Sequence, residues 1–153
     1  MTTRRATRLG IAATALLLFW AGVAYQVSGP TAPEDYRRTM VQVAEATHDA
    51  AGTGALVARQ QLAGQVFPTF ADTAYDDAST ALAGAARQLA AEPPPDPAGT
   101  AMRDRLAPLL RDTVKDLGDA ATAEGDDQRR GAADRLDRHA ADLSRLLKDW
   151  GAA

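Results

Sequence analysis

The sequence predicts an all-α protein: an N-terminal membrane-targeting helix followed by an antiparallel four-helix bundle, with a three-helix bundle as the alternative. Three observations carry this reading. Alanine, the strongest helix former, fills 35 of 153 positions. Apolar residues recur at spacings of three and four, the period of a helix with one buried face. Proline- or glycine-containing breaks separate four such stretches.

The first element is a targeting segment. Residues 9–27 read LGIAATALLLFWAGVAYQV, without a charge, after Arg4, Arg5 and Arg8 and before Ser28, Gly29 and Pro30. As a helix these residues would span about 29 Å, enough for the ~30 Å hydrocarbon core of a bilayer. Positive charge on the N-terminal flank places that flank in the cytoplasm and the remainder outside. Trp20 and Tyr25 stand where interfacial aromatic residues belong. The competing reading is a cleaved signal peptide, with a small-residue site at Gly22-Val23-Ala24 and secretion after cleavage near Ala24. Under either reading residues 1–28 target the chain, 29–33 form a linker, and 34–150 form an extracytoplasmic helical domain, held at the outer face of the cytoplasmic membrane when the segment is kept and secreted when it is cleaved.

A first bundle helix starts near Pro33, whose ring suits an opening turn, followed by Glu34 and Asp35, whose charge suits a helix N-terminus. Its stripe is Tyr36, Met40, Val43, Thr47, Ala50, Gly54, Val57 and Leu62, and it should end near Val66. Gly52 and Gly54 weaken its middle or mark close packing.

The second helix opens after Pro68, with Thr69 and Asp72 in the spacing of a capping box. Ala71, Ala74, Ala78, Ala81 and Ala85, with Leu82 and Leu89, give it a slim face. The segment from Glu92 to Pro97 holds four prolines, and no helix crosses it. A third helix, Pro97 to Glu124, carries Met102, Leu106, Leu110, Thr113, Leu117 and Ala120, widened by Leu109 and Val114. After the Gly125-Asp126-Asp127 turn, with Asp127 as cap, a fourth helix sets Ala133, Leu136, Ala140, Leu143, Leu147 and Trp150 at the strict spacing of a coiled-coil seam.

Composition excludes several functions. Cysteine is absent, so there is no disulfide framework, thiolate metal site or cysteine nucleophile. Of 17 basic side chains, three precede the apolar run; the other 14 face 20 acidic ones, leaving the exported part at −6. Nucleic acid and anionic lipid both call for a basic face, and neither is expected as a partner of the domain. The membrane is expected to be met through residues 9–27 and another envelope protein through the domain.

Candidate sites are few. His48 and His139 are the two histidines, and the pairing of first and last helices could bring them within about two turns, near Glu45, Asp49 and Asp142. Imidazole and carboxylate suit zinc, copper or nickel. Neither histidine falls on its helix's apolar stripe, however, so both are expected to face solvent, and no metal ligand is assigned. Asp76-Asp77 and Asp126-Asp127 lack the oxygen spacing of a calcium loop. Ser28, Ser79 and Ser144 sit in no glycine elbow and beside no histidine. No catalytic or cofactor-binding residue is expected. The resulting expectation is a non-enzymatic envelope interaction module; the alternatives are a ligand-sensing domain working through a partner chain, and a metal-handling protein.

Overall fold

In a computed structural model, residues 32–151 are described, and they form four helices: α1 (Pro33–Leu62), α2 (Pro68–Ala91), α3 (Pro97–Ala121) and α4 (Asp126–Gly151). Among the described residues none lies in a strand, and no helix is long and apolar enough to cross a membrane. The segment assigned to membrane targeting, residues 1–28, and the linker up to residue 31 lie outside the described residues.

Local chemistry explains the helix boundaries. α1 begins with Pro33 in its first turn, where the missing N–H costs nothing, and Glu34 and Asp35 follow. It stops at Leu62 rather than near Val66, because Gly64 turns left-handed at φ 63°. The Gly64 N–H bonds to the Gln61 carbonyl at 3.0 Å and the Gln65 N–H to the Gln60 carbonyl at 2.9 Å, the Schellman termination that a left-handed glycine makes possible.

The capping box expected for α2 does not form. Pro68 occupies the first turn and Phe67 the cap position, with no side-chain cap, so Thr69 is already helical and its carbonyl accepts from the Thr73 hydroxyl at 3.0 Å. α2 ends before Pro93, with Glu92 driven into the extended region by the following proline ring. Asp96 caps α3, its carboxylate accepting from the Gly99 N–H at 2.6 Å. α3 continues through Pro108 and ends at Ala121, one turn short of Glu124; α4 begins at Asp126 rather than using Asp127 as its cap.

Helices adjacent in sequence run antiparallel. Near the start of α1 and the end of α4, the Arg37 guanidinium donates to the Trp150 carbonyl. The Tyr75 hydroxyl near the start of α2 bonds Gln61 near the end of α1 at 3.0 Å, and Arg105 near the start of α3 pairs with Asp149 near the end of α4 at 2.8 Å. α1 packs against all three other helices and α3 likewise, whereas α2 and α4 do not meet. The helices therefore bundle with α1 and α3 across the short diagonal.

The core follows the apolar stripes. On α1, Tyr36, Met40, Val43, Thr47, Ala50, Gly54 and Val57 are buried; on α3, Leu106, Leu110, Thr113, Leu117 and Ala120 are. The stripes need correction at several positions. On α1, Leu62 is half-buried, and on α3, Val114, expected to widen the face, is exposed while Met102 is half-buried. On α2, Tyr75 is buried and Ala81 is exposed, because the bulky ring fills space that an alanine face leaves open. On α4, Ala132 and Leu146 are buried while Ala140 and Leu147 are only half-buried. That face is broader than a coiled-coil seam, as a helix packing on both α1 and α3 requires. Gly54 sits at the tightest crossing: a Cβ there would lie 2.5 Å from Leu117 Cδ1 and 3.1 Å from Leu136 Cδ1, whereas one at Gly52 would meet nothing.

Candidate functional site

The one buried charged side chain among the described residues is Asp116 on α3, 5% exposed. It neighbours Leu117 of the core stripe but points to the flank that faces α4, where Arg135 and His139 stand one turn apart. Asp116 Oδ1 accepts from Arg135 Nε at 2.6 Å, and Oδ2 lies 2.8 Å from His139 Nε2. Arg135 also reaches Asp119 at 3.0 Å, and Lys115 pairs with Asp119 at 2.9 Å.

Burial pushes the Asp116 carboxyl up, but the hydrogen bonds from Arg135 and His139 outweigh it and hold the group below the usual carboxylate range. The bond to Asp116 raises Arg135 in turn. A general acid or base needs a carboxyl poised near the working pH, with a free oxygen. Asp116 has the opposite disposition: it is ionised and occupied at both oxygens. The cluster is a clamp that joins α3 to α4.

A polar hollow of about 330 Å³ lies beside this clamp, lined by Asp119, Thr122, Ala123, Gln128 and Arg135. Its polar groups are already engaged: the Thr122 hydroxyl donates to the Gly118 carbonyl at 2.8 Å, and Gln128 accepts from the Glu124 N–H at 3.2 Å.

The histidines do not come together as ligands. His139 faces α3, its Nε2 2.8 Å from Asp116 Oδ2, which corrects the expectation that it faces solvent; this hydrogen bond beside the stripe leaves it half-buried. His48 lies against its own neighbour Asp49 at 3.2 Å. Asp142 pairs with Arg145, and Glu45 lines a groove with Arg37, Val41 and Trp150. Among the described residues no three His, Asp or Glu side chains are placed to hold a metal ion. Ser79 is exposed on α2 and Ser144 half-buried on α4.

The surface is distinctive at one end. Among the described residues four large apolar side chains are exposed, Phe67 at 83%, Phe70 at 61%, Leu56 at 56% and Val114 at 46%. All fall toward the end formed by the α1–α2 and α3–α4 turns: Phe67 and Phe70 at the start of α2, Leu56 and Val114 in the last two turns of α1 and α3. No protein-family model, curated protein or solved structure matches this chain. Its site must therefore be read from its own residues. Sequence reasoning missed the two phenylalanines, although the run Val66-Phe67-Pro68-Thr69-Phe70 holds a signal: bulky apolar residues at a break, off either helix's stripe. Apolar side chains that no helical face can bury are candidates for contact with another molecule.

Proposed function

We propose that this chain is a non-enzymatic interaction module of the cell envelope, exported and held by residues 9–27, or released by cleavage near Ala24, and docking to another envelope protein. The observation that carries the reading is the gathering of Leu56, Phe67, Phe70 and Val114 toward one end of an otherwise polar bundle. Among the described residues the one buried charged side chain, Asp116, has both oxygens engaged by its neighbours, which favours a rigid scaffold over a reactive centre. Interaction surfaces are enriched in exposed aromatic residues, and the three arginines before a 19-residue uncharged run support export.

The test has two arms. Alkaline phosphatase fused after Ala153, active only outside the cytoplasm, should be active. Formaldehyde treatment of intact cells should then yield a discrete adduct of the full chain with an exported protein. A reporter active only in the cytosol, or a chain that forms no adduct, would contradict the proposal.

A further inference from the structure

We propose that the end of the bundle carrying Phe67 and Phe70 docks into an apolar groove with a basic rim on an exported partner protein; this rests on the interaction reading and gives the partner's surface its chemistry. Phe67 caps α2 from outside the helix and Phe70 follows three residues later, so both rings stand out into solvent from the first turn, a knob of two aromatic side chains. A single exposed apolar residue is ordinary. Two phenylalanines on one turn, on the same end as Leu56 and Val114, are not, and aromatic knobs of this kind fill pockets at the centres of protein interfaces.

Charge decides between occupants. Asp72, Asp76 and Asp77 follow the knob on α2, all exposed, and none forms an ion pair among the described residues. Elsewhere most surface aspartates find a counter-charge, Asp35 with Arg38, Asp119 with Lys115, Asp142 with Arg145 and Asp149 with Arg105, and the exposed aspartates outside α2 that form no ion pair, Asp104 and Asp134, stand singly rather than in a group. α2 has no basic residue before Arg87. Asp77 stands seven residues after Phe70, two turns along the same face and about 10 Å away. Asp77 thus flanks the knob, with Asp72 and Asp76 further round the same helix, and the chain leaves all three without an ion-pair partner among the described residues. A basic rim on a partner supplies the counter-charges and selects the partner by complementarity. A second copy would oppose like charges, and an anionic bilayer would repel them.

The experiment uses the full chain in its own cells with photoreactive benzoylphenylalanine in place of Phe67, and separately in place of Arg145 on α4. Irradiation of the position-67 chain should give an adduct with another exported protein, through a peptide of that protein that carries lysine or arginine. Adding Asp76→Lys and Asp77→Lys should lower the adduct yield about tenfold, with the purified variant melting as the parent does; tenfold corresponds to ~1.4 kcal/mol. If the reversal unfolds the chain, Asp76→Asn with Asp77→Asn should still lower the yield about threefold. An adduct with a second copy or with lipid overturns the proposal, as does a yield indifferent to charge. An adduct from position 145 but none from position 67 overturns it while leaving the interaction reading standing. No adduct from either position defeats both.

Discussion

The Asp116 clamp ties a residue-scale feature to stability. Its hydrogen bonds to Arg135 and His139 join α3 to α4, and hydrogen bonds to charged groups contribute about 1.5–3 kcal/mol. Asp116→Asn should therefore lower stability by about that amount at neutral pH, as read by denaturant titration. The folded carboxyl is held below its ordinary value of 3.8. The stabilisation is accordingly complete above that value and lost as pH falls through the lower folded one. The gap between parent and variant should close as the pH drops below about 4, where the folded carboxyl takes up its proton; a gap that persists undiminished well below that pH would contradict the assignment. The two α1 glycines make a second residue-scale contrast. Gly52→Ala meets open space and should stabilise by about 0.5–1 kcal/mol through helix propensity. Gly54→Val drives atoms against Leu117 and Leu136 and should cost about 1–3 kcal/mol. The two variants should move the thermal midpoint in opposite directions.

Among the elements, α4 states the packing argument most clearly. Leu143 is fully buried, and Arg145, two positions on, points to solvent with an i,i+3 partner in Asp142. Leu143→Ala should cost about 2–5 kcal/mol, and Arg145→Ala should stay within about 0.5. Purified residues 30–153 should display both effects in circular dichroism melts; coincident melts would mean that the α4 face packs against nothing in this chain. This face also separates what was legible in the sequence from what was not. Leu136, Leu143 and Trp150 could be placed in the core because burial on a helix repeats every three or four residues. The pairing of His139 with Asp116 could not, since the rotation of α4 against α3 is set by packing across the bundle and leaves no trace in the period of either helix. Tyr75 escaped notice among alanines that carry the same period with less volume. The α1 terminus was misplaced although its signal was present: Gly64 has the residue type that a left-handed helix stop demands.

For the molecule as a whole, the four segments and their breaks were legible because proline and glycine punctuate the chain wherever a helix ends. The exposed apolar end was not, because surface apolar residues at a turn follow no period. Helix α1, in contact with the other three helices, organises a rigid scaffold, and the short turn at 63–67 carries the aromatic knob at its edge. The central claim is that Phe67 and Phe70 serve contact with another protein and not the bundle's own stability. The most direct measurement is the double variant Phe67→Ser with Phe70→Ser, examined for both properties in the full chain. Its unfolding free energy should remain within about 0.5 kcal/mol of the parent per exposed site. Its formaldehyde adduct with the exported partner should fall at least about thirtyfold, the loss expected when an interface centre is removed. A variant that melts far below the parent, or that keeps its adduct in full, would contradict the account.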